Sequence, residues 1–217
     1  VSENCSSPII VAGSMSAHKR HSYEKEDVVK SLTLLATSLR ETNVDCVMVE
    51  MVQNVEYGAE MIRAARLTNK PLIIGFAVEL RNNTLYLKDD DVCFTATLVR
   101  KMIADACDVA CIGVMHSDVS AVEHALKILE GAWKGPLVAY PDFGSFVDNV
   151  WQNHADDLAE EHIASKLISL KANHPRLSAV GGCCGLGPSF IHKLSKGVET
   201  RINPLQLIDL SDQSSQH

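Results

Sequence analysis

Two adjacent cysteines framed by glycines are the residues of this chain best suited to bind a metal ion. Residues 180–185 read Val-Gly-Gly-Cys-Cys-Gly and end an apolar run. Neighbouring side chains of a regular strand point to opposite faces, so Cys183 and Cys184 can reach one ion only where the backbone bends. Zinc binds thiolates in a tetrahedral shell, and a catalytic zinc keeps one position open. The pattern predicts a zinc site. Two alternatives remain: a pair of buried thiols in a glycine-rich turn, and a vicinal disulfide.

The remaining cysteines indicate a reducing environment. The seven cysteines are dispersed, and an odd number does not fit a disulfide scaffold. Cys46, Cys107 and Cys111 lie in or beside apolar runs, which predicts that they are small core residues. This use of cysteine favours a cytoplasmic protein.

Short apolar runs alternate with helix-patterned stretches along the chain. The runs are rich in Val and Ile and mostly unbroken, as strands of a parallel sheet buried on both faces require. The predicted strands are residues 9–13, 46–49, 72–78, 109–114, 137–140 and 177–180. The predicted helices are residues 27–40, 56–68, 94–106, 120–129 and 157–170, with a last helix from Pro188. Ser120 and Glu123 resemble a capping box.

This alternation predicts six βα units and an α/β fold. The pattern alone leaves two architectures open: a doubly wound sheet, and a (β/α)8 TIM barrel that lacks two units. We predict a single domain over residues 1–217, with residues 211–217 as a disordered tail.

Composition excludes several classes of partner. The formal net charge is -7 and no Lys/Arg run occurs, which argues against nucleic acid. No segment reaches the roughly 18 to 20 apolar residues of a membrane span. Residues 1–8 show no signal-peptide pattern. No dinucleotide or P-loop motif occurs either.

Several segments, in chain order, resemble the homocysteine S-methyltransferase family. The Gly-Gly-Cys-Cys-Gly run resembles the signature that follows the family's last barrel strand, and Tyr-Pro-Asp-Phe-Gly at residues 140–144 resembles its Tyr-Pro-Asn-x-Gly motif. Residues 11–14 and 49–50 resemble the ends of its third and fourth strands. The resemblance implies a barrel made of strands three to eight, because nothing here matches the family's opening Asp-Gly-Gly strand. An open barrel exposes strand edges, so a longer protein or a homo-oligomer would fill the gap.

The resemblance also implies a reaction. Members of the family use zinc to transfer a methyl group from a sulfonium or ammonium donor to the thiol of homocysteine, which gives methionine. A bound cation lowers the thiol pKa and provides a nucleophile at neutral pH. Betaine-using members normally carry longer chains, so S-methylmethionine is the favoured donor. Homocysteine and this donor would be the small-molecule partners, in methionine biosynthesis.

Two carboxylates are the candidates for binding the substrate. Glu50 closes its strand, where barrel active sites gather, and the resemblance implies that it holds the substrate's ammonium group. The alternative is a solvated acid at a helix start. Asp142 replaces the family's Asn and is predicted to contact substrate or to orient a metal ligand. Phe76 and Tyr140 are candidates for the pocket lining or the core.

The third metal ligand departs from the family pattern. The family's first zinc cysteine ends a Gly-x-Asn-Cys run, whereas residues 113–116 here read Gly-Val-Met-His. Imidazole is a good zinc ligand, so His116 is the predicted third ligand, and Cys111, five residues earlier, is a poorer substitute. If His116 is a surface residue instead, the site is crippled or empty. Met115-His116 also favours an alternative function, a catalytically impaired homologue that binds zinc or a thiol ligand without methyl transfer. An unrelated α/β enzyme is a further alternative, which the glycine-framed cysteine pair disfavours.

Replacing a thiolate by imidazole predicts a weaker reaction. Zinc with three thiolates carries a formal charge of -1, and zinc with two thiolates and a neutral imidazole carries none, so bound homocysteine should be less nucleophilic. We expect His116→Cys to raise the rate of homocysteine methylation. Steady-state kinetics of the variant and the parent chain measure this, and an unchanged rate would contradict the charge argument.

Overall fold

A parallel sheet organises the computed structural model, which describes residues 9–17, 24–148, 150–153 and 156–198. The predicted tail, residues 211–217, lies outside these ranges. Within them the strands are β1 Ala12–Ser16, β2 Cys46–Val52, β3 Leu72–Arg81, β4 Thr84–Leu87, β5 Val109–Asp118, β6 Leu137–Asp142, β7 Gly144–Val147, β8 Val150–Asn153 and β9 Leu177–Val180.

Helices follow the parallel strands and cover the sheet. Within the same ranges they are α1 Lys25–Arg40, α2 Val55–Ala65, α3 Ala96–Ile103, α4 Val119–Ala132, α5 Asp157–Asn173 and α6 Pro188–Gly197. Side chains that cap α2, α3 and α5 come from Asn54, Thr95 and Asp156, each accepting a backbone N–H of the first turn. Such caps satisfy amide groups that have no partner inside the helix.

Strand order decides between the two predicted architectures. The parallel strands pair in the order β1, β2, β3, β5, β6, β9, which is their order along the chain. A doubly wound sheet reverses its strand order at a switch point, and a barrel does not. The structure therefore confirms a barrel-type α/β fold of six βα units. The sheet of the described residues is not closed, and its edges are β1 and β9.

The central strands are buried, as their unbroken apolar sequences predict. Residues 110–115 of β5 and residues 74–78 of β3 are buried in succession. The central strands are thus covered on both faces, as strands inside a parallel sheet require. Because these strands are parallel, their carboxyl ends lie at one edge of the sheet.

The strands run further at their carboxyl ends than the sequence pattern predicts. Strand β2 continues to Val52, β3 to Arg81, β5 to Asp118 and β6 to Asp142, whereas β9 coincides with its predicted range. Polar residues such as Glu50 and His116 interrupt the apolar runs there without ending the strands. The extensions carry Glu50, His116 and Asp142, whereas Cys183 and Cys184 follow β9.

The structure contains two antiparallel hairpins that the sequence pattern did not predict. Strand β4 pairs with β3 across a two-residue turn at Asn82 and Asn83, which have φ angles of 49° and 63°. Asparagine tolerates this left-handed conformation, which two-residue hairpin turns require. Strands β7 and β8 form the second hairpin, directly after β6.

Two further predictions are wrong. Helix α4 begins at Val119, and its cap is Asp118, whose side chain accepts the Ser120 N–H, so Ser120 does not form the predicted capping box. Cys107 is exposed, whereas Cys46 and Cys111 are buried as predicted. No helix of the described ranges is long and apolar enough to cross a membrane.

Gly113 offers a test of the strand packing. A methyl group at this position of β5 would overlap the carbonyl oxygen and side chain of Val138 on β6, so we expect Gly113→Ala to destabilise the fold by about 2 kcal/mol or more. Gly131, near the end of α4, is the matched control, because its nearest neighbour would lie 3.6 Å away. Gly131→Ala should stabilise by about 0.5–1 kcal/mol. Denaturant unfolding of both variants checks this, and equal stabilities would contradict the packing.

Candidate metal centre and substrate site

Three of the predicted site residues meet at the carboxyl ends of the strands. One ligand atom from each of His116, Cys183 and Cys184 lies within 4.8 Å of the other two. His116 belongs to the end of β5, and the cysteines follow β9. Residues that are 67 or more positions apart in the sequence are therefore neighbours in space.

Backbone hydrogen bonds fix the cysteine loop against the end of β6. The Cys183 N–H donates to Pro141 O at 2.7 Å, and the Phe143 N–H donates to Cys184 O at 2.8 Å. These bonds continue the β6–β9 ladder beyond the last residue of β9. Gly185 has a φ of 83°, a left-handed conformation that glycine adopts without strain, and it turns the chain back after the cysteines. Both cysteines consequently stay at the strand ends.

The spacing of the two sulfurs suits a shared tetrahedral ion. The Cys183 and Cys184 Sγ atoms are 3.9 Å apart, which is far too long for a disulfide. Two sulfurs bound to one zinc at about 2.3 Å in a tetrahedral shell are about 3.8 Å apart. Burial raises the pKa of Cys183 to about 11, so without a nearby cation its sulfur is a neutral thiol at pH 7. The donor set of two thiols and an imidazole fits zinc.

A β-bulge presents His116 to the cysteines. The pairing of β5 with β6 shifts register between Met115 and Asp118, and His116 has a φ of 44°. This left-handed backbone is uncommon for a residue other than glycine, and such strain concentrates at functional sites. A bulge redirects a side chain from the regular alternation of a strand. The His116 side chain is 13% exposed, so it is not the surface histidine of the alternative interpretation.

Asp142 and Lys88 lie directly behind His116. Asp142 Oδ2 is 3.4 Å from His116 Nδ1 and 3.2 Å from Lys88 Nζ. Lys88 Nζ also donates to the backbone oxygen of His116 at 2.8 Å. The Asp142 side chain is only 5% exposed. A buried carboxylate requires such partners, and here both belong to the metal-site neighbourhood.

Glu50 is half-buried near the carboxyl end of β2, and β2 lies two strands away from β5. The Ser14 hydroxyl of β1 donates to the Glu50 carboxylate. A second register shift, between Val49 and Val52, surrounds Glu50, and Met51 has a φ of 59°. Glu50 and His116 thus both lie beside bulges at strand ends, a feature that apolar patterning does not reveal.

The buried Tyr140 hydroxyl lies within electrostatic reach of both Glu50 and Cys183. Burial raises the pKa of Tyr140, and the negative charge of Glu50 raises it further, so the hydroxyl is a donor at neutral pH. The hydroxyl oxygen is buried and has no hydrogen-bond partner among the described residues. Phe76, the other candidate aromatic, packs against Phe94 with ring centroids 5.4 Å apart and belongs to the core.

Comparison with known sequences identifies the family. The sequence profile of the homocysteine S-methyltransferase family matches residues 1–198. The chain belongs to this family. No curated protein sequence matches the chain significantly.

Solved structures agree on the fold. The apo form of the homocysteine methyltransferase MmuM from Escherichia coli has a TM-score of 0.63 at 19% identity, over 88% of this chain and 63% of that chain. Its metallated form has a TM-score of 0.60 at 20% identity, over 82% and 55%. A putative dihydrodipicolinate synthase family protein from Coccidioides immitis has a TM-score of 0.51 at 10% identity, over 88% and 59%. The chain spans less than two-thirds of the length of each of these relatives.

The sequence predicted some residues of this site and not others. His116 was predicted to stand at the family's first cysteine position, and the structure brings its imidazole to the two cysteines. Lys88 was missed by the sequence analysis, because it follows the unpredicted hairpin of β3 and β4. Tyr140 was predicted only as a candidate for lining or core, and a single sequence carries no signal for its unpaired hydroxyl.

Proposed function

We propose that this chain binds zinc through Cys183, Cys184 and His116 and methylates the thiol of homocysteine. The observation that carries the proposal is the approach of three zinc-compatible donor atoms to within 4.8 Å at the carboxyl ends of barrel strands. Three protein ligands leave one position of a tetrahedral shell for substrate. The family match and the metallated relative support the same donor chemistry.

Zinc bound at this site would supply a cation that keeps the homocysteine sulfur in its thiolate form at neutral pH. The chain's own groups orient the rest of the substrate. The Glu50 carboxylate is available to accept from the ammonium group, since Ser14 is its hydrogen-bond partner and no cation pairs with it among the described residues. The Tyr140 hydroxyl, buried and without a partner there, is a donor for a carboxylate or sulfur of the ligand.

The proposed donor is S-methylmethionine. Its methyl group moves to the homocysteine sulfur, forming a new sulfur–carbon bond, while the bond to the sulfonium sulfur breaks and leaves its electron pair there. Both products are methionine, and the donor loses its positive charge as it leaves. A sulfonium therefore needs no acid from the protein.

A zinc-binding homologue that does not transfer methyl groups is the second candidate. It is favoured by His116, which makes the metal centre formally neutral instead of anionic and so weakens the nucleophile. Both candidates require zinc, and only the first requires turnover. A methylation assay with S-methylmethionine, betaine and S-adenosylmethionine as donors separates them.

Cys183 provides the test of metal binding. We expect the purified chain to hold one zinc ion per molecule and Cys183→Ser to hold less than a tenth of that, because serine is a poor zinc ligand at neutral pH. The matched control is Cys107→Ser, since Cys107 is exposed and lies outside the site. A chromogenic chelator assay on the denatured proteins measures the zinc content of both variants. Equal zinc content in Cys183→Ser and the parent chain would contradict the proposed ligand set.

Tyr140→Phe separates a substrate role from a structural one. Removing a buried hydroxyl without a partner should raise the free energy of unfolding by about 1 kcal/mol, while a lost contact to ligand should weaken homocysteine binding roughly tenfold. Tyr86→Phe is the control, because Tyr86 lies on the β3–β4 hairpin against Arg81. Denaturant unfolding and calorimetric titration of the zinc-loaded proteins measure the two effects. Unchanged homocysteine affinity would show that Tyr140 does not contact the substrate.

A further inference from the structure

We infer that Asp142 is a positioning residue for the metal ligand His116, and that Lys88 holds both of them in place. This inference rests on the proposed zinc site and assigns a role to its surroundings. Asp142 then acts through His116 instead of binding the substrate directly.

The contact between Asp142 and His116 determines which ring nitrogen is available. Asp142 Oδ2 faces Nδ1 at 3.4 Å, so a proton on Nδ1 points at a carboxylate and Nε2 is left as the metal-binding atom. The separation is that of an ion-pair contact, and a small rotation of the imidazole shortens it to a hydrogen bond. Carboxylates that accept from a zinc-bound histidine fix its tautomer and raise its basicity.

Lys88 holds both the His116 backbone and the Asp142 carboxylate in place. Its ammonium group donates to the His116 carbonyl oxygen at 2.8 Å and lies 3.2 Å from Asp142 Oδ2. The first contact stabilises the left-handed backbone of His116, and the second offsets the charge of a buried carboxylate. Lys88 itself is held in place, because its backbone N–H donates to the backbone oxygen of Ala77 at 3.0 Å. The segment that follows the β3–β4 hairpin therefore stabilises the carboxyl end of β5, where His116 lies.

Burial argues against a direct substrate role for Asp142. Its side chain is 5% exposed, and the same oxygen, Oδ2, faces both Lys88 and His116. Glu50, in contrast, has a hydroxyl partner and lies two strands away. The two carboxylates predicted to bind substrate thus have different surroundings, and only Glu50 is placed to accept from a ligand's ammonium group.

Zinc affinity of Asp142 variants in two backgrounds tests the inference. We expect Asp142→Ala to weaken zinc binding by about 10- to 100-fold, and Asp142→Asn, which keeps an accepting oxygen, to weaken it less. In a His116→Cys background the same Asp142→Ala change should have little effect, because the residue through which Asp142 acts is gone. Competition with a chromophoric chelator measures the affinities. Asp91→Ala is the control, since Asp91 is exposed and pairs with Arg81.

A merely structural role for Asp142 predicts a different result. Asp142→Ala would then weaken zinc binding equally in the parent chain and in the His116→Cys background, which would overturn the inference. Long-range 15N–1H NMR of the zinc-loaded parent chain is the second measurement and needs no variant to fold. It should show His116 protonated at Nδ1 and metal-bound at Nε2, and the opposite tautomer would also overturn the inference.

The proposed function and this inference fail in distinguishable ways. A parent chain that binds no zinc overturns both. Stoichiometric zinc that is lost in Cys183→Ser but retained at full affinity in Asp142→Ala overturns the positioning role alone.

Discussion

The site depends on a short extension of the β6–β9 ladder beyond the end of β9. Two backbone hydrogen bonds, from the Cys183 and Phe143 amides, hold the glycine-rich loop against β6 and bring consecutive cysteines to one edge of the sheet. Without them the sulfurs would lie on a free loop, and ordering that loop around an ion would cost about 1–2 kcal/mol per residue. The pairing of β5 with β6 then brings His116 to the same edge.

The position of His116 at this edge explains its left-handed backbone and the charged residues, Lys88 and Asp142, that surround its imidazole. The His116 side chain reaches the sulfurs from a bulged, left-handed backbone position. The backbone of His116 is stabilised by Lys88, whose charge also accompanies the buried Asp142. Ligand, carboxylate and ammonium come from three separate segments, so each depends on the pairing of the strands. The proposed metal site is in this sense a consequence of the register of the sheet.

The buried parts of the fold could be predicted from the sequence, and the functional edge only in part. Unbroken apolar runs predicted the central parallel strands, because burial on both faces is a property of each strand's own composition. The first strand was predicted three residues too early, and Ile9 and Val11 of its predicted range are exposed. Chain pattern alone could not choose between a barrel and a doubly wound sheet, since strand order is a non-local property. Lys88 could not be predicted, because its role arises from the β3–β4 hairpin and from contacts with β5 and β6. The cysteine pair could be predicted because its residue type and glycine frame are local.

The central claim is that two sulfurs and one imidazole nitrogen share a single zinc ion, and X-ray absorption at the zinc edge tests it most directly. For the zinc-loaded chain we expect two sulfur neighbours at about 2.3 Å and a nitrogen neighbour at about 2.0–2.1 Å, with the outer-shell scattering of an imidazole ring. A zinc environment of oxygen and nitrogen alone, or one with a single sulfur, would contradict the account.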